Sequence, residues 1–180
     1  MSNIDRWNYL YAGVSKEPTR TFSSDDITYC KGYEWLKDCN PIEDWGCGFG
    51  YFNSLCQPGQ CIQLDASNTP HADAFVDLCV YKSHVPGIFM RHVLEHNEGW
   101  RIILRNALDS FQKRMVLVLF TPFSERTYDT EPWESGPQHR CYSFAKSDIL
   151  DAIAPIQYIL DEGIITLTQF GSEHVFYLWK

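Results

Sequence analysis

An uninterrupted apolar run, MVLVLF at residues 115–120, directly follows an amphipathic segment in this chain. In that preceding segment, residues 96–113, apolar side chains recur at helical spacing and predict a helix with one buried face. These side chains are Trp100, Ile103, Leu104, Ala107, Leu108 and Phe111. A strand that is apolar on both faces is typical of the middle of a parallel sheet covered by helices. The two segments therefore predict an α/β protein.

The same alternation of helices and strands continues through most of the chain. Further helices are predicted at residues 24–39, 51–55 and 143–154, and further strands at 42–45, 61–64 and 85–90, with a short one within 72–81. Two β-rich runs, residues 156–170 and 174–179, flank a Gly-Ser turn and predict a C-terminal antiparallel hairpin. Residues 1–23 show neither periodicity, so we expect an N-terminal arm or flap beside a single domain at 24–180.

Charge and cysteine usage narrow the functional classes. The chain has 15 Lys and Arg against 23 Asp and Glu, a net charge of −8, which disfavours a sequence-independent nucleic-acid binder. Its 7 cysteines are an odd number without a C-x-x-C pair, which favours reduced thiols in the cytoplasm. The sequence has neither a secretory leader nor an apolar run long enough to span a membrane, so we expect no membrane association.

A glycine cluster follows the predicted strand at residues 42–45. Glycines at positions 46, 48 and 50 let the backbone turn sharply and bring free N–H groups close to a polar ligand. The spacing is G-x-G-x-G, whereas the NAD fingerprint needs a glycine where Tyr51 stands. A phosphate-binding P-loop is excluded as well, because no Gly-Lys-Ser or Gly-Lys-Thr follows.

Residues 42–50, Ile-Glu-Asp-Trp-Gly-Cys-Gly-Phe-Gly, resemble the first motif of class I S-adenosylmethionine-dependent methyltransferases. In the same order as in that family, Asp65 ends the next strand and Asp77-Leu78 follows further on. Residues 90–96, Met-Arg-His-Val-Leu-Glu-His, resemble the exit of the fourth strand in the small-molecule branch of the family. The resemblance covers about residues 24–180.

The resemblance implies a three-layer α/β/α sandwich with a mostly parallel seven-stranded sheet and a C-terminal antiparallel hairpin. It also implies that S-adenosylmethionine is the cofactor, with the methionine part above the glycine loop and the ribose hydroxyls bound by Asp65. The residues implied to bind the cofactor are Asp44, Gly46, Cys47, Gly48, Gly50, Asp65, Ala66, Asp77, Leu78, Arg91 and His92. A carboxylate suits the ribose because it offers two acceptor oxygens and no donor.

The function expected from this resemblance is methyl transfer to a small-molecule or peptide nucleophile by in-line displacement, without a metal. His92 is the candidate catalytic base, followed by His96 and His139, because imidazole titrates near neutral pH. Residues 123–142, including Trp133, are expected to contact the substrate, since loops at the carboxyl ends of strands carry specificity. The lack of an Asn-Pro-Pro-Tyr motif after strand four also argues against a nucleic-acid substrate.

Two alternatives stay open at the level of the sequence. The chain could be a cofactor-binding module without a working acceptor site. Alternatively, His92-Val93-Leu94-Glu95-His96 fits the H-x-x-E-H pattern of zinc peptidases, which needs a continuous helix and a third metal ligand. The histidines stand where a strand is expected to end, which disfavours that helix.

Overall fold

The computed structural model describes residues 3–20, 24–130 and 141–180, and these contain five α-helices and nine strands. The helices are α1 (Asn3–Tyr11), α2 (Ile27–Leu36), α3 (Tyr51–Leu55), α4 (Trp100–Ser110) and α5 (Lys146–Ile153), with a 3₁₀ turn at Leu94–His96. The strands are β1 (Ile42–Trp45), β2 (Cys61–Asp65), β3 (Ala74–Phe75), β4 (Val85–Arg91), β5 (Phe111–Leu119), β6 (Tyr128–Thr130), β7 (Cys141–Ser143), β8 (Gln157–Ile165) and β9 (Ser172–Trp179).

Seven of the described strands form one sheet in the order β3-β2-β1-β4-β5-β9-β8. Strands β1 to β5 are parallel to one another, whereas β9 runs antiparallel to both β5 and β8. The predicted mostly parallel sheet with a C-terminal antiparallel hairpin is therefore confirmed. Strands β6 and β7 form a separate two-stranded sheet, which begins in the segment 123–142 that is expected to contact the substrate.

Strand β5 divides the protein into two apolar cores. Met115, Leu117 and Leu119 join the core that α4 and α5 cover, while Val116 and Val118 join the core beneath α2 and α3. All five side chains are fully buried. The apolar run that predicted a covered central strand thus lies in the middle layer of a three-layer sandwich.

Several element boundaries differ from those predicted, including those of α4 and β5. Helix α4 begins at Trp100 and ends at Ser110, so the predicted helix at 96–113 is too long at both ends. Strand β5 already begins at Phe111, because pairing with Val85 of β4 fixes an extended backbone there. None of the helices in the described part of the chain combines the length and apolar character needed to cross a membrane.

Helix α2 approaches the sheet closely at Gly32. A Cβ at this position would lie 2.4 Å from Cε2 of Phe89 on β4. The Phe89 ring is itself stacked on Phe52 of α3, with the ring centroids 3.9 Å apart. Because both rings are fully buried, neither has room to move away from an added methyl group.

We expect Gly32→Ala to lower the free energy of unfolding by about 1–3 kcal/mol, because overpacking outweighs the usual gain in helix propensity. Urea denaturation measures the change. The exposed residue Cys30 on the same helix offers a control, since Cys30→Ala should change stability by less than about 0.5 kcal/mol. A Gly32→Ala protein as stable as the wild type would contradict this account of the packing.

Candidate functional site

A cavity of about 290 Å³ lies at the carboxyl ends of β1, β2 and β4. These strands are neighbours in the sheet, so the loops that follow them meet at one edge. The residues implied to bind the cofactor that line this cavity are Gly46, Asp65, Ala66, Asp77, Leu78 and His92. The others, Asp44, Cys47, Gly48, Gly50 and Arg91, stand in the same loops and strand ends but are not part of its surface.

The glycine loop needs glycine for two physical reasons. Gly46, Gly48 and Gly50 have φ values of +78°, +50° and +73°, in the left-handed region that other residues rarely adopt. In addition, a Cβ on Gly46 would lie 2.4 Å from Cγ2 of Val93, which follows β4. The loop backbone is held by β2, since Gly46 and Cys47 both donate to the Leu64 carbonyl.

Asp65 joins the end of β2 to this glycine loop. One carboxylate oxygen accepts a hydrogen bond from the Gly48 N–H at 3.0 Å, and the other accepts from the Ser67 N–H at 2.9 Å and from the Ser67 hydroxyl. Burial raises the pKa of Asp65, although the hydrogen bonds from Ser67 and Gly48 oppose that change. Ser67 was not predicted as part of the site. The available signal was its position two residues after Asp65, where a serine commonly hydrogen-bonds to an aspartate.

Asp44 places a second buried carboxyl beneath the loop. It is 3% exposed, and burial together with the nearby Asp65 raises its pKa to about 8 despite the opposing charge of Arg91. Its neighbour Cys47 is a thiol rather than a thiolate, because burial and the two aspartates raise its pKa. A cationic group bound above Asp44 and Asp65 would stabilise the ionised form of both carboxyls.

Asp77 and Leu78 border the cavity from the segment after β3. The Asp77 carboxylate accepts a hydrogen bond from the Cys79 N–H at 2.9 Å, which shapes a turn. The buried side chain of Asn106 on α4 holds the Leu78 carbonyl at 2.9 Å. These contacts fix this wall of the cavity.

Arg91 belongs to a buried network at the end of β4. Its guanidinium donates to the hydroxyls of Thr28 and Tyr29 and, at 2.7 Å, to the carboxylate of Glu173 on β9. It also lies over the Tyr29 ring. All three partners are distant in sequence, and no local motif pointed to them.

His92 connects this network to the cavity. It has φ +58°, its ring lies against Phe120, and its Nε2 atom contacts the Glu173 carboxylate. Burial and the charge of Arg91 lower the pKa of His92 to about 3, although Glu173 acts in the opposite direction. His92 is therefore a neutral imidazole at physiological pH.

Residues 92–96 do not form the continuous helix that the zinc-peptidase pattern requires. Only Leu94–His96 are helical, in a single 3₁₀ turn. Glu95 is fully buried, one of its oxygens accepts from the Phe120 N–H at 2.6 Å, and burial raises its pKa to about 8. No group of three or more His, Cys, Asp or Glu side chains arranged to hold a metal occurs in the described residues.

Helix α1 covers the cavity from the N-terminal arm. Ile4, Trp7 and Tyr11 contribute to its lining, and the Trp7 ring packs edge-on against His96 with the centroids 4.9 Å apart. Asn8 anchors the helix by accepting from the Asn68 N–H at 2.6 Å. The helix was not predicted because its apolar and aromatic residues lack a clean helical period. The candidates His139 and Trp133 lie outside the described residues.

Neither a protein-family model nor a curated protein sequence matches this chain. The search of solved structures finds N-methyltransferase NodS from Bradyrhizobium japonicum WM9 in complex with S-adenosylhomocysteine, with a TM-score of 0.67, 12% identity and coverage of 99% of this chain and 98% of that chain. Magnesium protoporphyrin IX methyltransferase from Synechocystis PCC 6803 with bound S-adenosylhomocysteine gives a TM-score of 0.64 and 16% identity over 98% of this chain and 93% of its own.

A third similar structure is 1,6-didemethyltoxoflavin-N1-methyltransferase from Burkholderia thailandensis, with bound 1,6-didemethyltoxoflavin and S-adenosylhomocysteine. Its TM-score is 0.65 at 11% identity, over 86% of this chain and 76% of that chain. Similarity at these identities concerns the fold. It confirms the predicted resemblance at that level: the chain has the fold of class I methyltransferases.

We expect Gly46→Ala to lower the free energy of unfolding by about 1–3 kcal/mol more than Gly59→Ala does, as judged by urea denaturation. Gly59 is the matched control because its φ is +76°, yet nothing lies within 4 Å of a Cβ added there. The difference therefore isolates the collision with Val93, whose β-branched side chain is stiff. Equal losses in the two variants would show that the approach of Val93 does not constrain the loop.

Proposed function

We propose that this protein is an S-adenosylmethionine-dependent methyltransferase that acts on a small molecule. The observation that carries the proposal is the convergence of the glycine loop after β1 and Asp65 after β2 on one cavity. Gly46 and Asp65 both line it, and a hydrogen bond from Gly48 to Asp65 ties the two loops together. The structural neighbours with this fold hold S-adenosylmethionine or S-adenosylhomocysteine, which supports the choice of cofactor.

The charges around the cavity fit a cationic cofactor. Asp65 and Asp77 line it, the buried carboxyl of Asp44 lies beneath the loop, and no lysine or arginine belongs to its lining among the described residues. We assign Asp65 to the ribose hydroxyls, Asp77 and Leu78 to the adenine, and the glycine loop with Asp44 to the methionine part. A raised pKa, as at Asp44, is expected of a buried carboxyl whose cationic ligand is not bound.

The cofactor, when bound, supplies an electrophilic methyl group on a sulfonium. The protein then contributes by aligning the cofactor with the acceptor and by excluding water from the cavity. Asp65 and the glycine loop would fix the two ends of the cofactor, while Trp7 and Tyr11 of α1 cover the cavity. Holding a nucleophile in line at about 3–3.5 Å from the methyl carbon can supply up to about 7–11 kcal/mol of the barrier reduction.

We place the methyl acceptor next to His92 and His96, which share the cavity wall with Asn97. The neighbours named for 1,6-didemethyltoxoflavin and magnesium protoporphyrin IX act on small molecules, which supports the same class of acceptor here. A cytoplasmic location stays a prediction. It is consistent with all seven cysteines being free thiols in the structure.

Isothermal titration calorimetry with S-adenosylmethionine and S-adenosylhomocysteine tests the proposal directly. We expect both to bind the wild type, and Asp65→Asn to weaken binding about 10–100-fold, because a charge-assisted hydrogen-bonding carboxylate is lost. Asp109→Asn is the control, since Asp109 is on α4 in exposed ion pairs with Lys82 and Arg105. Absence of binding to the folded wild type would refute the proposal, and binding without methyl transfer to any acceptor would favour the non-catalytic module.

Binding should also depend on pH through Asp44. Its pKa of about 8 means that it is mostly protonated at pH 7, so a bound cation must ionise it and release a proton. Affinity should therefore fall as the pH is lowered from 7.5 to 6, by at most about tenfold per pH unit. The cation expected beside Asp44 is the protonated amino group of the methionine part, which S-adenosylhomocysteine retains, so calorimetry with this product at several pH values measures the change. Asp44→Asn should bind more weakly and with a flatter pH profile, and an unchanged slope in that variant would exclude Asp44 as the group that titrates.

A further inference from the structure

Glu173 is a fully buried carboxylate that sits behind His92. It lies on β9 and reaches across the end of the sheet to groups on β4 and α2. One of its oxygens accepts from Arg91 at 2.7 Å and contacts Nε2 of His92, and the other accepts from the Thr28 hydroxyl at 2.8 Å. Both oxygens are therefore engaged, and neither faces the cavity as a free acceptor.

The protonation states of this pair determine where the shared hydrogen lies. Burial alone would raise the pKa of Glu173, but the contact with His92, the charge of Arg91 and the Thr28 hydroxyl bring it below its usual value. His92 is neutral because burial and Arg91 outweigh Glu173 in setting its pKa, and His96 adds slightly to the same effect. A carboxylate has no hydrogen to give, so the hydrogen in the contact belongs to Nε2 of His92. A neutral imidazole carries only one N–H, which leaves its Nδ1 atom as an acceptor.

The backbone of His92 adopts a left-handed conformation that costs free energy, and contacts around the residue hold it there. A left-handed conformation at a residue other than glycine costs about 1–2 kcal/mol, and such strain persists where the surroundings enforce it. Here the Glu173 contact, the Phe120 ring at 4.6 Å and a hydrogen bond from the His92 N–H to the Val118 carbonyl do so. The side chain keeps 13% of its surface exposed and forms part of the cavity wall.

We propose that Glu173 is a positioning residue that fixes His92 as the Nε2–H tautomer, so that Nδ1 can accept the hydrogen of a hydroxyl group on the methyl acceptor. This inference rests on the proposed function and specifies the acceptor class of the same site. Glu173 acts only through His92, and Thr28 acts only through Glu173.

This arrangement serves the transfer of a methyl group to a hydroxyl oxygen. The hydroxyl oxygen forms a bond to the methyl carbon, the carbon–sulfur bond breaks, and sulfur keeps that electron pair. The hydroxyl hydrogen passes as a proton to Nδ1, and the resulting imidazolium is stabilised through its Nε2–H by Glu173 until the proton leaves to solvent. A hydroxyl oxygen that gains a methyl group becomes an oxonium, an acid strong enough to protonate even a weakly basic imidazole. An amine would become a stable ammonium ion that need not lose its proton at the site, so an imidazole held as an acceptor by Glu173 serves a hydroxyl rather than an amine.

Nuclear magnetic resonance of ¹⁵N-histidine-labelled protein tests the assignment without any substrate, because the two tautomers and the imidazolium have different nitrogen shifts. The His92 signals are identified by their loss in His92→Asn, since asparagine tolerates a positive φ. We expect wild-type His92 to be neutral, with its hydrogen on Nε2, from pH 6 to 8. Glu173→Met, which removes the acceptor oxygens, should shift the tautomer population toward Nδ1–H. Glu43→Met should leave it unchanged, because Glu43 is also a buried carboxyl but bonds to Trp45, Tyr81 and Ser83 instead.

A wild-type His92 that is protonated at pH 7 or carries its hydrogen on Nδ1 would overturn the proposal, whether or not the variants fold. So would an unchanged tautomer in folded Glu173→Met. The calorimetric titration with S-adenosylhomocysteine reports separately on the proposed function. A protein that binds this product but has the wrong tautomer refutes the role of Glu173 alone, and one with the expected tautomer that binds neither product nor cofactor refutes the proposed function itself.

Discussion

Parallel pairing of β1 with both β2 and β4 is the constraint on which the site depends. Trp45 of β1 lies beside Leu64 on one side and Met90 on the other, so all three strands end at the same level. The first residues beyond or at those ends are Gly46, Asp65 and Arg91. The hydrogen bond from Gly48 to Asp65 then fixes the distance between two of the three loops. Three separate chain segments thereby meet at one cavity.

The layers of the fold and one half of the site could be predicted from the sequence. The apolar run in β5 predicted a covered sheet because such a strand has no face for solvent, and it indeed contributes to both cores. The residues around Gly46 and Asp65 were found because their signal is local: a glycine cluster at a strand end and an acid at the end of the next strand. Their positions on the cavity follow from strand order, whereas their roles toward a cofactor stay predictions.

The other half of the site could not be predicted, because its contacts join residues that are distant in sequence. Glu173 meets His92 across 81 positions and Thr28 across 145, and nothing in the run around Glu173 distinguishes it from a surface residue of a hairpin. Only the antiparallel insertion of β9 beside β5 brings it to the end of β4. Helix α1 was not predicted for a related reason. Its side chains pack on the cavity that they cover, and its apolar residues do not repeat at regular helical spacing.

The raised pKa of Asp44 also has a consequence for folding. In the unfolded chain an aspartate ionises near pH 4, whereas Asp44 in the folded protein holds its proton to about pH 8. The folded state therefore binds more protons between these values, and linkage requires that this residue make folding progressively less favourable as the pH rises through them. A positive charge held beside Asp44 would reverse that loss. Under the proposed function, a ligand that carries such a charge would make the folded protein more stable near neutral pH than the ligand-free protein.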